Sequence, residues 1–160
     1  NMSSRLFSEV REKRGLCYYV HSAVDQFHDT GMFGAAAGVD PARLEEAIKV
    51  TIGEFVSLAN GTKPFTAAEL QRAKEFLAGK MVLGLEDSES VAQYYGMKQL
   101  LTSEIESPEE VLEKVQAVTL EEVHALASRL IVPGALRFAL IGPFREPDQV
   151  NNWVTTAQQL

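Results

Sequence analysis

Ser3-Ser4-Arg5-Leu6-Phe7-Ser8-Glu9-Val10-Arg11-Glu12-Lys13-Arg14-Gly15-Leu16-Cys17-Tyr18-Tyr19-Val20 changes its hydrophobic period halfway along. Up to Arg14 the apolar residues Leu6, Phe7 and Val10 share one helical face, while Arg5, Glu9, Glu12 and Lys13 point elsewhere. Ser3 or Ser4 offers an N-cap oxygen, and Gly15 stands where a left-handed residue ends a helix. From Leu16 to Val24 the period is two, in β-branched and aromatic residues, with Tyr18, Val20 and Val24 on one face. The stretch therefore predicts a helix, a glycine corner and a strand.

The strand runs into the polar segment Asp25 to Thr30, and Gly31 followed by Met32 to Val39 reads as its returning partner. Gly34, Ala35, Ala36, Ala37 and Gly38 on that second strand predict a close neighbour. Asp40-Pro41 is a cap followed by proline at the first helical position, and Leu44, Ala47, Ile48, Ile52, Phe55 and Val56 form the helical stripe behind it. Three capping boxes follow: Thr66 with Glu69, Ser107 with Glu110, and Thr119 with Glu122. Ser88 or Ser90 opens a further helix through Tyr94, Tyr95 and Leu100. After Pro133-Gly134, Ala135 to Gly142 reads as a third strand. The pattern is α+β, in two layers: a mostly antiparallel sheet packed against several helices. With no linker or repeat, residues 1–145 form one domain, and 146–160 a tail or short surface helix.

Three strands are few for so many helices, since sheets usually hold about four to six. Either the helices pack on each other or strands precede Asn1; the second is the expectation, and the abrupt helical start at Asn1-Met2-Ser3-Ser4 agrees with it. Such a truncated sheet would leave an unpaired edge, through which self-association is expected.

The 160 residues carry 15 Lys+Arg and 22 Asp+Glu, a net charge of −7. No basic cluster supplies the footprint of nucleic-acid binding, and no apolar run approaches the roughly 18 residues of a membrane helix. One cysteine allows no internal disulfide; the chain is expected to be soluble, and the sequence leaves its compartment open with the cytoplasm favoured. His21, His28 and His124 lack the i, i+3 or i, i+4 spacing of paired metal ligands, so no metal or other cofactor is expected in this chain. Cys17 reads as a buried structural thiol.

Arg11 and Tyr18 remain. From the residues alone two readings stand. Arg11 can be a cation at a helix C-terminus and Tyr18 an ordinary sheet residue. Alternatively, both can point into one space beside the corner, where a guanidinium fork and a phenol could hold a peptide backbone or a developing oxyanion.

The opening segment resembles the signature of the C-terminal half of pitrilysin/insulinase-type zinc metallopeptidases, a group that includes mitochondrial processing peptidase and bacterial two-domain zinc proteases. The likeness continues through Thr66-Ala67-Ala68-Glu69-Leu70, Ser88-Glu89-Ser90-Val91-Ala92, Val115 to Val123 and Leu140-Ile141-Gly142-Pro143. It implies one jaw of a clamshell, the other jaw carrying the zinc and a glutamate base. In such a pair Arg11 would bind substrate, and Tyr18 would bind substrate and act in catalysis by stabilising the transition state. The implied partners are an N-terminal zinc-binding half, in the same protein or a paired subunit, and a peptide substrate. The chain alone is expected to be inactive. The competing expectations are a non-catalytic scaffold or core subunit of the same fold, and a peptide-binding module that does not cleave.

Overall fold

A computed structural model of the chain describes residues 2–132, 134–143 and 147–159. It is an α+β structure in which the described residues form two compact units. The first comprises Asn1–Pro64 with Leu126–Leu160, the second Phe65–Ala125.

In the first unit the opening helix is wound more loosely than its period predicts. Phe7–Glu12 is a π-helical turn, in which the Lys13 N–H donates to the Ser8 carbonyl five residues back at 3.0 Å. Gly15 ends it in the left-handed region, at φ 60°. The Leu16 N–H then donates to the Val10 carbonyl at 2.9 Å, turning the chain into β1 (Cys17–Gln26). Strand β2 (Gly31–Val39) returns antiparallel, with His21 opposite Ala36 and Val24 opposite Phe33. The small residues of β2 do receive a neighbour: the Tyr19 ring lies over Gly38, where an added Cβ would come within 2.5 Å of it.

The register is irregular between Cys17 and Tyr19, so Tyr18 sits in a β-bulge. This corrects the expected face of Tyr18: the extra residue takes it out of the alternation, so Cys17 and Val20 turn inward while Tyr18 is 83% exposed. Val20 and Val24 keep one face in the regular register that follows, with Val24 exposed nearer the hairpin turn.

Asp40 caps a single 3-10 turn, Pro41–Arg43, by accepting from the Ala42 N–H at 2.9 Å, and helix α1 (Leu44–Ala59) follows. Two cores form around these elements. One joins Leu6, Val10, Leu16, Cys17, Val20 and Ala47 at the helix–strand corner. The other joins Leu44, Ile48 and Ile52 of α1 to Val150 and Ala157 of the C-terminal helix α6 (Pro147–Ala157). The segment expected as a tail or surface helix thus contributes buried side chains; its residues 146 and 160 lie outside the described residues, as does residue 133 of the turn expected at 133–134.

The third strand expected at Ala135 to Gly142 does not form. A strand exists only through a partner's hydrogen bonds, and the one sheet among the described residues has two strands. Leu140 instead packs against the second core, and Arg137 turns its guanidinium back onto the Gly134 and Leu136 carbonyls at 2.7 and 3.0 Å.

The second unit holds α2 (Ala67–Gly84), α3 (Ser88–Thr102), α4 (Pro108–Ala117) and the first half of α5 (Leu120–Leu130). All three capping boxes close: the Glu69, Glu110 and Glu122 N–H groups donate to Thr66, Ser107 and Thr119 at 3.2 Å each. The cap of α3 is Asp87, not Ser88 or Ser90, since its carboxylate accepts from the Ser90 N–H at 2.8 Å. At the α3–α4 corner, Lys98 and Lys114 both reach Glu106 and hold its carboxyl below the ordinary carboxylate range. No residue of α2, α3 or α4 is buried; Leu83 and Leu100 are among their exposed apolar side chains.

Candidate functional site

Arg11 closes the π-helical turn and Tyr18 occupies the bulge that opens β1. The glycine corner at Gly15 folds one back towards the other. The Arg11 guanidinium carbon lies 5.8 Å from the centroid of the Tyr18 ring and 5.0 Å from that of Phe7. The structure therefore brings the two expected site residues onto one exposed surface.

The corner that carries them is firmly built. Val10 and Leu16 are fully buried beneath it. Arg43, at the start of α1, donates to the Arg14 carbonyl at 2.8 Å and pairs with Glu46. Arg5 spans to the Lys63 and Pro64 carbonyls at 2.5 and 2.6 Å.

Charge around the corner is sorted. Glu9 accepts from Lys13 at 2.5 Å and from Arg14 at 2.7 Å, and these two hydrogen bonds hold its pKa at about 2 against an ordinary 4.5. Among the described residues Arg11 is the cation of this segment with no carboxylate or carbonyl partner, and the Tyr18 hydroxyl likewise has no hydrogen bond. Burial pushes the Cys17 thiol upward, opposed by the Arg11 charge, which leaves it a poor nucleophile.

A pH prediction follows from Glu9. Its folded pKa lies below the unfolded one, so its stabilisation is complete above about 4.5 and is lost as the pH falls towards 2. Acid denaturation of wild type and E9Q should converge below that window, with E9Q less stable above it. Parallel curves through pH 5 to 2 would contradict the pairing.

Sequence reasoning missed Phe7 as a neighbour of Arg11. The i, i+4 spacing was a usable signal, but Phe7 was assigned wholly to the apolar face. It also missed the bulge at Tyr18, for which the sequence holds no local sign. The described residues include no group of three or more His, Cys, Asp or Glu able to hold a metal ion. An open groove of about 420 Å³ lies on the second unit, lined by Ile105, Glu106, Glu110, Glu113, Lys114 and Ala117. Its lining shares no residue with the corner.

Residues 1–77 match the family model described as the Peptidase M16 inactive domain. The chain is 42% identical to an uncharacterized zinc protease of Mycobacterium tuberculosis over 130 residues, 81% of this chain and 29% of that protein. It is 34% identical to the uncharacterized zinc protease YmxG of Bacillus subtilis over 143 residues, 89% of this chain and 34% of that one. A chain of Complex III2 from Candida albicans has the same fold, with a TM-score of 0.70 at 24% identity over 79% of this chain and 30% of that one. Residues 1–77 thus match the C-terminal-type inactive domain of the pitrilysin/insulinase-type peptidases, and the chain as a whole is similar to proteins named as zinc proteases. It spans about a third of the length of the curated relatives it matches.

Proposed function

We propose that this chain is the substrate-binding, transition-state-supporting half of a zinc endopeptidase that cleaves peptides or unfolded segments. The observation that carries the reading is the juxtaposition of Arg11 and Tyr18, whose donors have no hydrogen-bond partner among the described residues, on the segment that matches the family. The zinc would be held by an N-terminal half or paired subunit, and would supply an activated water when bound. Arg11 holds a substrate carbonyl with its in-plane N–H groups. Tyr18 donates its hydroxyl proton in a hydrogen bond to the oxyanion that forms at the scissile carbon.

The exposed apolar side chains of α2 and α3 support a polypeptide partner, because surface of this kind is usually covered in the working assembly. Among the described residues no helix is long and apolar enough to cross a membrane. A cytoplasmic setting belongs to the proposal, on the buried free thiol of Cys17.

The test is reconstitution. The chain alone and the chain combined with its zinc-binding half are assayed for metal content and for cleavage of an unfolded peptide. The chain alone should carry less than stoichiometric zinc and cleave nothing, and the combination should cleave. Stoichiometric zinc or cleavage by the chain alone would refute the assignment. A combination that assembles, carries zinc and never cleaves would give the chain the scaffold role instead.

A further inference from the structure

Most arginines at this corner are held through their N–H groups. Arg5 uses two on carbonyls, Arg14 is paired with Glu9, and Arg43 divides its fork between Glu46 and the Arg14 carbonyl. Each is fixed by protein acceptors that occupy part of its donor fork. Arg11 is placed differently. Its guanidinium lies over two aromatic rings, and the nearer is Phe7, one helical turn before it, at 5.0 Å.

An aromatic face holds a guanidinium through the quadrupole of the ring, acting on the flat side of the cation. The five N–H groups lie in the cation's plane, so contacts of this kind need not consume them. A carboxylate in the same place would fix the side chain more tightly but would occupy the fork. The surroundings agree: the Glu9 carboxylate on the same turn is already taken by Lys13 and Arg14.

Phe7 is suited to be the fixed member. Its half-buried ring packs against the core of Leu6, Val10 and Leu16, so it cannot drift with the cation it supports. Tyr18, by contrast, is almost wholly exposed and owes its direction to the bulge. The Phe7 ring thus provides the anchored platform, and Arg11 in turn lies beside the Tyr18 ring.

We infer that Phe7 is a positioning residue: its ring orients the Arg11 guanidinium towards substrate while leaving every Arg11 donor free. The inference rests on the proposed peptidase role of Arg11 and deepens it. Because Arg11 is assigned to a substrate carbonyl that is present before and during reaction, losing its orientation should appear in KM rather than kcat.

The experiment compares wild type, F7L, F7Y and R11A in the assembled zinc-loaded protease with an unfolded peptide substrate. Leucine keeps most of the apolar volume owed to the core but removes the ring face; tyrosine keeps the face. F7L should raise KM about three- to fivefold with kcat within about twofold, from the strength of an exposed cation–π contact. F7Y should restore KM to the wild-type value, and R11A should raise it at least as much as F7L. An F7L protein with wild-type KM, beside an R11A protein with raised KM, overturns the role of Phe7 and leaves that of Arg11 standing. Equal losses in F7L and F7Y overturn it as well, since they mark a packing effect. Wild-type kinetics in R11A defeat the underlying peptidase assignment of Arg11, and the inference with it. If F7L does not fold, NMR of the wild-type assembly decides. The Arg11 side-chain protons should lie upfield of those of an exposed arginine, under the ring current, and unshifted resonances would overturn the contact.

Discussion

The Tyr18→Phe variant of the assembled protease is expected to lose about a hundredfold in kcat while keeping its zinc and its thermal stability. Removing one preorganised oxyanion donor typically costs on the order of 3 kcal/mol of transition-state stabilisation. The structure makes the test clean. Tyr18 is 83% exposed, and its hydroxyl has no hydrogen-bond partner among the described residues, so phenylalanine leaves nothing buried and unsatisfied. The ring stays beside Arg11, 5.8 Å from the guanidinium carbon in the parent, so the surface keeps its shape. Loss of rate with unchanged melting temperature and zinc content therefore reports on the hydroxyl alone. Unchanged kcat would remove Tyr18 from the chemistry.

Leu16→Ala is expected to do the opposite, destabilising the fold by about 2 to 5 kcal/mol. Leu16 is fully buried and packs with Val10, also fully buried, under the corner. Truncating it opens a cavity where the π-helical turn meets β1, and the Leu16 N–H bond to Val10 loses the packing that holds it at 2.9 Å. Urea denaturation should show a lowered midpoint with an unchanged slope. Activity should fall together with stability, because both Arg11 and Tyr18 hang from this corner. A midpoint within experimental error of wild type would mean that the core seen here does not organise the site. The two variants thus separate a group that acts from a group that supports.

What the sequence made legible was local. The boxes at Thr66, Ser107 and Thr119 close within four residues, so their chemistry needs no knowledge of the rest of the fold. The glycine corner was legible for the same reason: Gly15 adopts a positive φ that other residues disfavour. The π-helical turn was not, because Phe7–Glu12 has the same apolar spacing that an α-helix would show. Nor was the bulge, since an extra residue in β1 is defined only by its register against β2. Ala135 to Gly142 has strand composition but no strand to pair with among the described residues, and composition cannot supply a partner.

At the candidate site, the resemblance to the peptidase family pointed to Arg11 and Tyr18, while the residues alone left open whether they meet. Their meeting depends on the bulge at Tyr18, which only the register against β2 defines, while the ring of Phe7 beside Arg11 is a local contact one turn away.

The most direct measurement is a double-mutant cycle on kcat/KM in the zinc-loaded assembly, using wild type, R11A, Y18F and the R11A/Y18F pair. If Arg11 and Tyr18 serve one bound peptide as a unit, each single change slows cleavage and the pair costs less than the product of the two. Four proteins that carry zinc and cleave the same peptide at the same rate would contradict the account.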